Sequence, residues 1–316
     1  MMCCLCQAAS LSGFVRPDAK SGESIALGEC TKCGHVQQVN MPSPEELATY
    51  YSHHYRSDYK AIHIPKKKHV HRAGRVALER LDMLRAFQGD RRSLLDVGAG
   101  GGEFLYLATK RGWDATGIEP NVGYSEFARA EYGVEVRTGS LNDEASGCVD
   151  VVTMFHVLEH MPDPLASVQR VYERLTRQGL FFVEVPNLIQ KDSSPHNIFF
   201  KAHVQYFNKD TLLFVTSKYF ECLTIEDKGN LKAVFRRRDQ PKEPQFPSTE
   251  VVAANAARFR AKGWVEYLLE GGGWMKPFSQ LRRSREERAS EALAPREILN
   301  RILLSNTANE TWLEED

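Results

Sequence analysis

The sequence lacks net charge: 41 Lys+Arg stand against 41 Asp+Glu in 316 residues. A general polyanion binder carries a basic excess, so recognition of nucleic acid by bulk charge is not expected. No apolar run approaches the ~20 residues needed to span a bilayer. The N-terminus, MMCCLCQ, has neither a basic n-region nor an apolar h-region. No secretory signal is read there, and a reducing cytoplasm is the expected compartment. There is no HExxH, no G-x-S-x-G elbow, no P-loop and no internal repeat, which removes three large classes of hydrolytic and nucleotide chemistry. What remains is an ordinary globular composition, 42% hydrophobic and 26% charged, in a chain long enough for about two domains.

Cysteine is sparse over most of the chain and dense at one end. Five of the seven lie in the first 33 residues: Cys3, Cys4, Cys6, Cys30 and Cys33. Cys148 and Cys222 stand alone near apolar segments and read as buried free thiols. The cluster parses as Cys3-x-x-Cys6 and Cys30-x-x-Cys33, two knuckles that bring four thiolates to the corners of a tetrahedron around Zn²⁺. Cys4 competes for one position, and His35 is an outside candidate. A disulfide framework fits an intracellular chain poorly. Four thiolates fill the coordination sphere, so the expected zinc is structural.

Four segments follow from the patterning: a zinc-binding module over 1–40, a linker with helices over 41–90, an α/β domain over 91–238 and a helical extension over 239–316. Pro44-Glu-Glu-Leu starts a short helix. A linker rich in Tyr and His follows, including His53, His54, Tyr55 and Tyr59. Ala73, Ala77, Leu81 and Leu84 mark a helix over 66–87 whose start, Lys66 to Arg72, is basic. It reads as a solvated face or as a patch for an anionic substrate. Strands are expected at 93–97, 114–119, 134–137, 149–155 and 179–185, alternating with helices at 103–111, 124–132 and 165–175. This alternation specifies a parallel sheet covered on both faces. Segments 220–226 and 231–236 straddle Gly229-Asn230 and read as a hairpin forming an antiparallel edge. The extension either covers the active site or mediates self-association as a homodimer.

The stretch Leu95-Asp-Val-Gly-Ala-Gly-Gly-Gly102 sits where a first strand passes into a helix. A dinucleotide fingerprint needs glycine at 103, which is Glu103; the actual spacing is Gly98, Gly100, Gly102. Asp96 just before the loop is unwelcome to a pyrophosphate but suits a cationic ligand. Glu119 ends the second strand, placed to accept both ribose hydroxyls. S-adenosylmethionine (SAM) has the ribose, the sulfonium and the ammonium that these features ask for.

On these residues, and on Asp150-Val-Val-Thr-Met-Phe-His-Val-Leu-Glu-His-Met-Pro-Asp-Pro164, residues 93–235 resemble the class I SAM-dependent methyltransferases. The resemblance implies a doubly wound, seven-stranded Rossmann-like α/β sheet. It implies a donor site of Asp96, Gly98, Ala99, Gly100, Gly102, Glu119 and Pro120, with Phe155 and His156. Ser140 and the Leu141 backbone stand where the family's adenine contact often carries an acid. With the double CxxC and the Tyr-rich linker, the chain is also similar to bacterial deoxysugar C-methyltransferases. Their H-E-H-L-x-Y-F-like string is matched by Lys201-Ala-His-Val-Gln-Tyr-Phe207, with Ala202 in place of the family's glutamate.

Methyl transfer from a sulfonium to a hydroxyl needs positioning and a base near neutrality. The resemblance makes His203 the first candidate base, with His156 second and Glu159 as its orienting partner. Tyr55, Tyr59, His160, Asn187 and Tyr206 are candidates for the acceptor pocket. The expected activity is O-methylation of a sugar or glycan acceptor. C-methylation of a nucleotide-linked ketosugar is the alternative, and RNA methylation and a non-catalytic SAM-binding protein stand further back.

Overall fold

The computed structural model describes residues 1–42, 46, 65–141 and 148–311. The helix expected at Pro44 and the Tyr- and His-rich linker with Tyr55 and Tyr59 lie outside the described residues. In chain order the elements begin β1 (Leu11–Pro17), β2 (Ser24–Cys30), β3 (Val36–Gln38), α1 (Lys67–Arg85), β4 (Ser93–Val97), α2 (Glu103–Lys110), β5 (Asp114–Glu119) and α3 (Val122–Phe127). They continue with β6 (Glu135–Thr138), β7 (Val149–Phe155), α4 (Pro164–Arg174), β8 (Leu175–Val185), β9 (Gln205–Tyr206), α5 (Lys209–Ser217), β10 (Phe220–Glu226) and β11 (Leu231–Arg237). Among the described residues, α6 (Thr249–Ala261), α7 (Trp264–Leu269), α8 (Lys276–Ser290) and α9 (Pro295–Thr311) follow.

Seven strands form one sheet in the order β10-β11-β8-β7-β4-β5-β6. β4, β5 and β6 are parallel. β11 pairs antiparallel with both β8 and β10, so the Gly229-Asn230 hairpin makes the expected edge. β8 begins at Leu175 rather than Gly179, because α4 stops at Arg174 and the chain extends at once. Asp163 starts α4 by accepting from the Ala166 N–H, with Pro164 in the first turn where no amide hydrogen is needed.

The chain divides into two compact units: residues 1–44, 146–148 and 154–276, and residues 45–145, 149–153 and 277–316. In the second unit α1 packs on α9, and Gly74 is the point of closest approach. A Cβ there would lie 2.6 Å from Leu299 Cδ2. In the basic start of α1, Arg72 pairs with Glu287 and Lys67 Nζ donates to the Glu291 carbonyl at 2.9 Å; farther along, Arg75 Nη1 lies 3.0 Å from Glu286 Oε2.

The first unit holds a four-stranded sheet, β1-β2-β3-β9. Its core is Ile25, Leu27, Val36, Leu188, Phe199 and Tyr206, with Phe259 of α6 against it. The two lone cysteines are not buried; Cys148 and Cys222 are both exposed. Cys222 sits on β10, an edge strand with a largely open face, and Cys148 sits before β7 begins. Nearby apolar sequence did not place either thiol inside. Among the described residues no helix is long and apolar enough to cross a membrane.

Candidate functional site

The second unit carries the candidate donor set. Gly98, Gly100 and Gly102 have φ of 79°, 56° and 86°. The G-x-G-x-G spacing is therefore a backbone requirement, because each glycine occupies the left-handed region that side chains disfavour. Gly102 is also the N-cap of α2. A Cβ on it would meet the Ala128 Cβ at 2.7 Å. Glu119 is buried and folds back onto the loop: Gly100 N–H donates to its Oε2 at 2.8 Å and Asn121 N–H to its Oε1 at 3.0 Å. Asp96 is buried at the end of β4, and the Thr153 hydroxyl donates to its Oδ1 at 2.6 Å. Burial pushes this carboxyl up to about 7, with the charge of Glu119 adding, against the Thr153 hydrogen bond and Arg80. A buried acid poised near neutrality is one that a ligand cation can ionise.

The first unit carries the candidate acceptor set. His156 leaves β7 with φ of 58°, and its backbone N–H donates to the Glu184 carbonyl at 2.8 Å. The imidazole lies between two buried carboxylates, Nδ1 at 3.2 Å from Glu159 Oε1 and Nε2 at 3.4 Å from Glu184 Oε1. Crowding by protein atoms disfavours the charged ring, although 41% of the side chain stays open. The two acids outweigh it and hold His156 up at about 9. Asn230, from the hairpin turn, donates to Glu184 Oε1 at 2.8 Å. Glu159 Oε2 has no hydrogen-bond partner among the described residues.

His160 Nδ1 is bonded to the Ala202 carbonyl at 2.8 Å, and its ring meets His203 edge-on at 4.9 Å. Burial pushes His203 down to about 3, with the neighbouring His160 adding, so its ring is neutral. Glu159, His160 and His203 offer donor atoms within 4.8 Å of one another. Beside them is a cavity of about 160 Å³ lined by Asn187, Gln190, Asn197, His203, Gln205 and Asn230, among others. Among its described lining residues there is no Lys, Arg, Asp or Glu.

Cys3 and Cys33 Sγ are 3.6 Å apart, Cys6 and Cys30 Sγ 3.5 Å, and all four lie within 4.8 Å of one another. Thiolates around zinc at about 2.3 Å stand roughly 3.8 Å apart at tetrahedral angles, so the four residues fit such an ion. Cys4 and His35 do not join them. Cys4 Sγ and His35 Nε2 both bond to Gln205 Oε1, at 3.2 and 2.8 Å.

The structure thus groups Asp96, Ala99, Gly100, Gly102 and Glu119 in one unit, and His156, Glu159, His160 and His203 in the other. Asn187 and Tyr206 line the cavity with His203; His160 does not line it. Ser140 is exposed, and Leu141 and Phe155 are partly buried. Sequence reasoning missed Thr153, Glu184, Asn230 and Gln205. Glu184 carried a readable signal: an acid inside the apolar run Leu180–Val185 has to be paired if the strand is central.

Residues 69–214 match a family model described as a methyltransferase domain. A ubiquinone biosynthesis O-methyltransferase from Pseudomonas paraeruginosa (strain DSM 24068 / PA7) is 36% identical over 96 residues, 28% of this chain and 41% of that protein. The protein of the same name from Paracidovorax citrulli (strain AAC00-1) is 33% identical over 119 residues, 35% of this chain and 49% of its own. The matched stretch thus spans less than half the length of these curated relatives. Among solved structures, magnesium protoporphyrin IX methyltransferase from Synechocystis PCC 6803 with bound SAH is similar at a TM-score of 0.49 and 11% identity, over 62% of this chain and 100% of that one. Over residues 69–214, then, the chain matches a methyltransferase domain.

Proposed function

We propose that the protein transfers a methyl group from SAM to a hydroxyl of an uncharged, hydroxyl-rich acceptor, a sugar or glycan end. The cavity beside His203 carries this reading: its described lining is carboxamides, aromatic rings, Ser193 and a few aliphatic side chains, with no Lys, Arg, Asp or Glu among the described residues. Amides both donate and accept, as hydroxyls do, while a phosphate or carboxylate would find no Lys or Arg among the described lining residues. O-methylation is in line with the names of the curated relatives.

Bound SAM supplies an electrophilic methyl on a positively charged sulfur. Asp96 and Glu119 supply negative charge and hydrogen-bond acceptors to the donor's cationic and ribose groups, and the loop glycines let it approach the backbone. As the oxygen–carbon bond forms and the sulfur–carbon bond breaks, the hydroxyl proton passes to His203; burial holds that ring at about 3, below the near-neutral value of an ideal base, so the proton moves late, once the attacking oxygen has become strongly acidic. Glu159 favours the imidazolium that results. His156, already protonated, is a fixed donor and positive charge rather than the base. The Cys3, Cys6, Cys30 and Cys33 sulfurs would hold a zinc whose coordination they fill, so its role would be structural.

The test is His203→Ala against a panel of neutral saccharides, with SAH formation followed. Turnover should fall by about a hundredfold or more while SAH affinity by calorimetry stays unchanged. Near-wild-type turnover removes His203 as the base. Wild-type turnover confined to phenols or charged acceptors removes the sugar class.

A further inference from the structure

The acceptor set sits on two chain segments, 156–162 and 201–206, and neither is held in place by the large sheet alone. Both are tied to the Cys-rich sheet through two glutamines. β3 follows directly from the second CxxC, with Gly34 N–H bonded to the Cys30 carbonyl and Cys30 N–H to the His35 carbonyl, both at 2.8 Å. β3 pairs antiparallel with β9, Gln37 opposite Gln205 and Val36 opposite Tyr206.

The Gln205 side chain is buried, and both ends of its amide are engaged. Its Oε1 accepts from His35 Nε2 at 2.8 Å and from Cys4 Sγ at 3.2 Å. Its Nε2 donates to the Met161 carbonyl at 3.1 Å and the Pro162 carbonyl at 3.3 Å. Those carbonyls come directly after Glu159-His160. Gln38 does the parallel work on the second segment, its Nε2 donating to the His203 carbonyl at 2.8 Å and the Lys201 carbonyl at 2.9 Å. Val204 N–H then closes the two segments on each other by donating to the Glu159 carbonyl at 2.9 Å.

We infer that Gln205 is a positioning residue: its one amide couples the cysteine-bearing sheet to the turn that presents Glu159 and His160, and so sets the acceptor face. This rests on the acceptor site proposed above. The physical reason is satisfaction of buried groups. A buried amide that has two acceptor contacts on one side and two donor contacts on the other fixes both sides, since releasing either leaves buried polar atoms without those bonds. The Cys-rich module is on this account part of the acceptor site rather than a separate appendage. The thiolate cluster sets where β3 lies, β3 sets β9, and Gln205 and Gln38 set the two segments.

Gln205→Glu separates the two sides. The carboxylate still accepts from His35 and Cys4 but can no longer donate to Met161 and Pro162, and it opposes their carbonyls. The full-length protein with its native metal is compared with this variant by metal analysis, SAH calorimetry, amide exchange and histidine NMR titration. The expected result is unchanged metal content and SAH affinity, with amide exchange over 158–165 faster by about tenfold. The His156 titration, about 9 in the wild type, should move toward the ordinary histidine range as Glu159 loses its fixed place. Gln38→Leu should speed exchange at 203–205 instead. Unchanged exchange and an unmoved His156 titration in Gln205→Glu overturn the inference. Lost SAH affinity in that variant also overturns it, because the effect would then be general unfolding. Failure of the wild type to bind SAH at all would instead strike the proposed function.

Discussion

The Thr153 hydroxyl stands 2.6 Å from Asp96 Oδ1 and donates to it inside the sheet. That one hydrogen bond does not offset the burial of the carboxylate, so Asp96 titrates at about 7 against an ordinary 3.8. A cationic ligand should ionise it. Titration of SAM into the protein at pH 6.5, in buffers of different ionisation enthalpy, should show proton release on binding. Asp96→Asn should abolish that release and weaken the donor by about tenfold or more, as expected for a charge-assisted contact.

The same acid makes a stability prediction with a definite sign. Its folded pKa is raised, so the folded state holds the proton more tightly than the unfolded one. The contribution is present below about 3.8 and is lost as pH rises through about 7. Denaturant unfolding of the ligand-free protein should show Asp96→Asn gaining stability relative to wild type from pH 5 to pH 8. The gain is bounded at about 4 kcal/mol by the size of the shift. A constant difference across that range would contradict the burial argument.

His156 carries the opposite charge type with the same direction of shift. Raised to about 9 from 6.5, it contributes stability that is complete below 6.5 and is lost as pH rises through 9. Replacing Glu159 by Gln removes one of its two acids, so the variant's stability should be flatter between pH 7 and 9.5. Unfolding midpoints measured across that window decide it.

Gly102 tests the loop without touching any charge. Alanine there must adopt φ of 86° and place a methyl 2.7 Å from the Ala128 Cβ. The left-handed conformation and the overlap together should cost about 2–4 kcal/mol. Thermal unfolding should show the loss, and SAH should restore less stability to the variant than to the wild type.

Cys30→Ser should release about one zinc ion per chain, read by metal analysis of freshly purified protein. Circular dichroism should then show loss of the β1-β2-β3-β9 sheet with retention of most helix. Metal absent from the wild type would remove the structural-zinc reading.

The alternation of strands and helices was legible because a central strand is apolar along its length and a covering helix is apolar at every third or fourth residue. β4, β5, β7 and β10 fall where the pattern put them. The glycine loop was legible because positive φ leaves glycine in the sequence, and the double CxxC because a tetrahedral cluster needs a fixed residue grammar. Local chemistry of this kind is written into neighbouring residues.

What the sequence could not state is which distant residues share one buried polar group. Glu184, Asn230 and Glu159 come from a strand, a hairpin turn and a short 3-10 helix, yet all three arrange themselves around His156. Gln205 reaches Cys4 across 201 positions of sequence. Hydrogen bonds inside a protein are decided by which atoms lose water together, and that depends on tertiary packing. The sequence alone determined the sheet, the loop and the cysteine cluster. Only the folded chain decided that His156 is charged, that His203 is neutral, and that the cysteine module reaches the proposed acceptor site.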